Sequence, residues 1–220
     1  MQPCRRTYTV VDDISGEPIR VGSHTLFSPQ DLCTLPILPR MAEAGVDWLK
    51  IEGRNRPPEY VDVVVSAYRE AVDAVAAGTF APDLVDHLMP RLRSVYNKGF
   101  HTGFLEGLPS GETFTDVENS LATHRKVYVG RIEKVFRKIG VLDVVVHCRT
   151  LSVGETLMVI GPTTGVQRGV ISSMFDVDHQ SVDTARKGDI VGVKLDTSFV
   201  MRPQDKVFRM EPVALWPEEA

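Results

Sequence analysis

Residues Val46 to Arg54 constrain the fold more than any other stretch. They read Val-Asp-Trp-Leu-Lys-Ile-Glu-Gly-Arg: a short apolar run with one lysine, stopped abruptly after Ile51. A buried parallel strand has this form, because both of its faces are covered and turn residues close it. A helical pattern precedes it and ends at Gly45, which suits a left-handed C′ position. Pro57-Pro58 and a longer helical pattern follow. Helix, strand, loop, helix is one unit of an α/β sheet or barrel. In such folds the chemistry collects at the carboxyl ends of the strands. Glu52 and Arg54 stand there as candidate catalytic residues, a carboxylate and a guanidinium able to hold a polar or anionic ligand. The competing reading makes them a structural ion pair at the rim.

The helices on either side read as follows. Ser28-Pro29-Gln30-Asp31 has the N-cap, first-turn proline and acidic residue of a helix start. Pro36 and Pro39 break that helix or restart it near Leu38, where Leu38, Met41 and Ala42 form a face. From Pro58 to Ala77, Val61, Val64, Val65, Tyr68, Ala71, Val72 and Val75 fall on one stripe, and Gly78 ends it. Tyr68 either packs or reaches a ligand. Pro82 to Tyr96 reads as a third helix, with Pro90 expected to kink or split it. Before all of these, Met1 to Gly22 reads as strand, turn, strand. Leu108 to Thr123, rich in Gly, Ser, Thr and Pro, reads as a linker.

Beyond the linker the period changes to two. Val127–Val135, 140–147, Thr156–Ile160, 165–174 and Ile190–Leu195 read as strands of a small all-β barrel or sandwich. His147 and Cys148 lie in one of them and are expected on opposite faces, with Cys148 as a core residue.

Composition excludes some classes. The 220 residues are 43% hydrophobic and 25% charged, with a net charge of -4, so nothing drives the whole chain toward nucleic acid. Positive charge clusters at Arg5-Arg6 and from His124 to Lys138, as solvated faces or as local patches. Three cysteines and no signal-peptide core point to a reducing cytoplasm. No apolar run approaches the ~20 residues that span a bilayer.

Several blocks together resemble one family. They are Gln2-Pro3-Cys4-Arg5-Arg6-Thr7-Tyr8, Ser28-Pro29-Gln30-Asp31-Leu32-Cys33 and Ala44 to Arg54. Tyr60 with Tyr68-Arg69, and Tyr96-Asn97-Lys98-Gly99-Phe100 with Gly103-Phe104, continue the match. The family is the collagenase-like peptidase family U-32. The resemblance implies an α/β fragment at residues 1–107, the last part of a TIM-barrel-like domain. A linker at 108–124 and a small β-barrel at 125–213, similar to the second domain of elongation factors, would follow. It also implies chemistry. Several members are hydroxylases of transfer RNA, ribosomal RNA or a quinone ring that carry an iron–sulfur cluster on four cysteines, with prephenate as oxygen donor in the RNA-modifying branch. On that reading Cys4 and Cys33 are metal ligands, Glu52 and Arg54 are catalytic, and Arg5, Lys50 and Tyr68 bind substrate.

The family signature begins upstream of Met1 and holds more cysteines than this chain carries. The chain is therefore expected to be the carboxy-terminal part of a member, either truncated, split or mis-started, with a separate chain carrying the amino-terminal half as a candidate partner. Three functions stay open: part of an RNA hydroxylase, a peptidase, or a non-catalytic module that binds RNA or a partner. The peptidase reading lacks a recognisable nucleophile motif such as Gly-x-Ser-x-Gly or His-Glu-x-x-His.

Overall fold

The computed structural model describes residues 8–21, 29–108, 113, 115, 117, 120–197 and 200–213. Cys4, Arg5, Ser28 and much of the expected linker lie outside them. The chain divides into two compact units, Met1–Arg56 with Val63–Thr123 and Pro57–Asp62 with His124–Ala220.

The first unit opens with a hairpin, β1 (Tyr8–Val11) against β2 (Pro18–Val21). Asp12 makes the turn. Its carboxylate accepts hydrogen bonds from the Ser15 N–H, the Ser15 hydroxyl and the Ile14 N–H. Those donors hold the acid below its ordinary pKa, Ser15 first. Next comes a two-residue parallel pair, β3 (Asp31–Leu32) with β4 (Phe100–His101). The helix expected from Ser28 is thus corrected. Asp31 and Leu32 are strand, because the Asp31 and Cys33 N–H groups bond to the Gly99 and His101 carbonyls. Helix begins only at Leu35, as a 3-10 turn (Leu35–Ile37) running into α1 (Leu38–Glu43).

Gly45 ends α1 as anticipated. Its φ is +81°, the Gly45 N–H bonds to Ala42 O and the Val46 N–H to Met41 O, which together form a Schellman motif. The long helix α2 (Pro58–Ala76) ends the same way at Gly78. Helix α3 (Pro82–Arg93) runs unbroken through Pro90, against expectation. The proline sits in the last turn, where its missing N–H costs a single hydrogen bond.

The strand expected at Val46–Ile51 is absent. The segment is irregular, and Trp48 is 90% exposed. A strand exists only by pairing its backbone with a neighbour, and none lies alongside it among the described residues. Its apolar side chains instead meet the helices. Val46 and Leu49 join Leu38, Met41, Val72 and Val75 around an apolar cavity of about 260 Å³.

The second unit is a closed antiparallel barrel. Its strands are β5 (His124–Phe136), β6 (Val141–Val146), β8 (Thr156–Gly161), β9 (Gly165–Phe175), β11 (Ile190–Leu195) and β12 (Lys206–Pro212). They close in the order β11-β6-β5-β12-β8-β9. Two short strands, β7 (Leu151–Ser152) and β10 (Thr184–Ala185), form a separate pair. Alternation drives the closure: in β6, Leu142, Val144 and Val146 are buried between half-buried neighbours. They meet Val129, Ile132, Leu157, Ile171, Val193 and Val207 in one core. Each such side chain contributes roughly 1.5–3 kcal/mol. Register shifts at Ile132/Lys134, Lys194/Leu195 and Val207/Phe208 turn the corners that a barrel needs. His147 and Cys148 fall just past β6 rather than within it, and the Cys148 thiol, half-buried, contacts the Tyr128 carbonyl.

Candidate functional site

The β3–β4 pair gathers the polar groups of the first unit. The parallel ladder places Asp31 and Cys33 two residues apart along one extended stretch. Asp31 is held from two sides: Arg56 Nη2 donates to its Oδ1 at 2.9 Å and the Lys98 N–H to its Oδ2 at 2.9 Å. The Arg56 guanidinium also lies over the Tyr96 ring, 4.1 Å from the centroid. With both partners about three-quarters buried, this is a positioned ion pair rather than a surface one. Gly99, at φ +85°, lets the strand pass the Gln30 side chain, which a β-carbon there would meet at 3.1 Å.

Cys33 is 4% exposed. The Tyr68 hydroxyl, from the middle of α2, lies 3.6 Å from its sulfur and accepts the Thr34 N–H at 3.0 Å. Burial, and then the electrostatic effect of Cys33, push the Tyr68 pKa up to about 12. The phenol therefore stays protonated and remains a donor toward sulfur across the neutral range.

The structure brings Tyr68 and Cys33 together and leaves the other described candidates apart from them. Lys50, Glu52 and Arg54 are exposed on the loop before α2. No ion pair joins Glu52 to Arg54. The Glu52 carboxylate instead accepts the Arg54 N–H at 2.7 Å and shapes the turn, because a side chain two residues back reaches the backbone more readily than the guanidinium. Sequence reasoning missed the Asp31–Arg56 pair. Asp31 reads locally as part of a helix start, and Arg56 carries no motif of its own.

The Tyr68 environment has a measurable consequence. A proton held more tightly in the folded state gives stability that is full below pH 10 and is lost as pH rises from 10 toward 12. Tyr68→Phe is expected to remove the highest step in an ultraviolet tyrosinate titration and to flatten that alkaline decline. At neutral pH it should lower stability by about 1 kcal/mol, through the Thr34 N–H left unpaired. An unchanged titration curve would contradict this placement of Tyr68.

Known proteins resemble this chain along most of its length. The profile of peptidase family U32 matches residues 1–115. The chain belongs to peptidase family U32. Among curated members of similar sequence, a collagenase of Porphyromonas gingivalis (strain W83) is 36% identical over 96% of this chain and 50% of its own length. An uncharacterized protease of Methanocaldococcus jannaschii, MJ0090, is 33% identical over 96% of this chain and 51% of its own. The tRNA hydroxylation protein P1 of Bacillus subtilis is 30% identical over 77% of this chain and 40% of its own. The chain spans about half the length of the curated relatives it matches.

A four-thiolate iron–sulfur cluster, which family resemblance implies, does not fit the described residues by themselves. The sequence carries three cysteines. Cys148 lies in the barrel unit, and no group of three His, Cys, Asp or Glu side chains is placed to hold a metal among the described residues. No described helix is long and apolar enough to cross a membrane.

Proposed function

We propose that this chain is the carboxy-terminal part of a U32-family RNA hydroxylase, whose α/β unit completes a TIM-barrel-like domain in the intact protein. The carrying observation is the match to a relative named for tRNA hydroxylation across 77% of the chain. Cys33, held under the Tyr68 hydroxyl beside the Asp31–Arg56 pair, supports it. So does the Val46–Leu49 segment, which carries a strand's apolar pattern and exposes Trp48. In this reading Cys4 and Cys33 supply two of the four thiolates. The remaining cysteines come from the rest of the polypeptide or from a separate chain bearing the amino-terminal half. Arg54, with Arg5, offers guanidinium groups for the carboxylates of prephenate as co-substrate. Glu52 and Lys50 share that loop. The polymer substrate is transfer RNA or ribosomal RNA.

The test is the iron and acid-labile sulfide content of the intact protein purified without oxygen. The expected result is stoichiometric iron and sulfide, lowered at least several-fold by Cys33→Ser. Absence of both from the intact protein would refute the reading. A second reading, a peptidase, is favoured by the collagenase name of a relative at 36% identity. It predicts cleavage of denatured collagen by the intact protein that survives Cys33→Ser.

A further inference from the structure

The barrel differs in charge from the rest of the chain. Residues 124–213 hold fourteen Lys and Arg against ten Asp and Glu, a net +4 within a chain whose total is -4. The excess is not evenly spread. Near the His124 end of β5, Arg125 pairs with Glu211, and Arg209 with Glu155 and Glu211. At the opposite end the cations enter no such pairs among the described residues.

That end is defined by register. The β5–β6 hairpin closes at Phe136↔Val141, with Arg137 and Lys138 in its turn. The segment leading into β12 lies alongside it: the Ile132 N–H bonds to Asp205 O, and the Gln204 N–H to Ile132 O. Lys206 then sits directly opposite Arg131. Like charges at opposed positions of an antiparallel pair repel and cost stability. Arg131 meets a neutral side chain here, Gln204 Oε1 accepting from its Nη1 at 3.1 Å. Arg131, Lys134, Arg137, Lys138, Arg202 and Lys206 are all exposed. None has an ion pair within 4 Å among the described residues. Between these cations Phe136 is 42% exposed, an aromatic ring on which a base can stack.

Asp143, opposite Lys134 on the β5–β6 ladder, and Glu133 are the acids nearest this end, and the six cations outnumber them. An excess of exposed cations without close ion pairs around an exposed ring matches a strand of phosphates with unstacked bases. We propose that this end of the barrel, the β5–β6 hairpin tip with Arg131, Arg202 and Lys206, docks the backbone of single-stranded RNA. The inference rests on the RNA reading above and names the surface that serves it.

The test uses the full 220-residue chain and a labelled oligouridine in fluorescence anisotropy across a salt series. The double reversal Arg137→Glu/Lys138→Glu is expected to weaken binding about tenfold or more. It should reduce the slope of log affinity against log salt by roughly 1.4, about 0.7 for each phosphate no longer neutralised. Arg186→Glu/Lys187→Glu makes the same change in net charge. It lies in the exposed turn beside Val146, at the far end of β6, and should leave affinity and slope near the wild-type values. Phe136→Ala should weaken binding at every salt concentration without changing the slope. Equal losses from both double reversals, or from neither, would overturn this surface while leaving an RNA substrate intact. No binding by the wild-type chain would overturn the docking surface itself. The iron and sulfide assay judges the hydroxylase reading independently of either result. Thermal melts matching the wild type establish that each variant is folded.

Discussion

Gly130→Ala is expected to destabilise the barrel by about 3 kcal/mol or more. A β-carbon at Gly130 would lie 1.9 Å from the Val145 carbonyl oxygen and 3.0 Å from its carbon. Both atoms are backbone, so no rotamer change relieves the clash. Strands β5 and β6 would have to separate where His147 and Cys148 both donate their N–H groups to Val129 O. Separation would also open the core between Val129 and Val146, both essentially fully buried. Urea denaturation followed by far-ultraviolet circular dichroism measures the effect. A midpoint within experimental error of the wild type would show that β5 and β6 do not approach this closely.

The second large effect is expected at Asp205. Its side chain is buried, and one carboxylate oxygen accepts both the Thr164 hydroxyl at 2.5 Å and the Arg202 N–H at 2.8 Å. That oxygen joins the β8–β9 turn to the segment entering β12 and so closes one end of the barrel. Asp205→Ala should cost about 2–4 kcal/mol, because a buried hydroxyl and a backbone N–H lose a charged acceptor together. Asp205→Asn keeps an acceptor oxygen and should cost roughly half as much. Gly161→Ala tests the same joint from the other side. Its β-carbon would lie 1.8 Å from the second Asp205 oxygen and force the carboxylate off both partners. If asparagine at 205 cost nothing, the charge of the acceptor would contribute nothing; if it cost as much as alanine, a neutral acceptor oxygen would preserve none of the joint.

These sites also bear on the proposed RNA docking. Asp205 holds the segment that presents Arg202 and Lys206. A variant that loosens the joint should weaken RNA binding without touching a docking cation. For that reason the docking test relies on hairpin-tip residues, which lie outside the joint.

How much was readable in advance depended on how local the signal was. Gly45 and Gly78 announced helix ends because a left-handed C′ residue is set by the chain next to it. The barrel strands from 127 to 195 showed themselves because alternation records a half-buried surface residue by residue. Strand β12 had no such clarity. Phe208, Arg209, Met210 and Glu211 are all half-buried, so its pattern does not alternate. The candidate site was harder still. Cys33 and Tyr68 each stand out in the sequence, but their contact spans 35 positions and is made by packing. Asp31 and Arg56 come together only because β3 stands where a helix was expected.

The sequence by itself determined the family blocks, the helix starts at Pro58 and Pro82, the helix ends at Gly45 and Gly78, and the change of period that makes the second unit β. Those properties are written in short windows. Tertiary structure alone decided three things: that Val46–Ile51 forms no strand, that Glu52 turns back to the Arg54 N–H, and that Arg131 faces Lys206. Each depends on which backbone comes to lie alongside. A strand needs a neighbour, an ion pair needs a reachable partner, and a charged patch needs a register. None of these is a property of the residues in isolation.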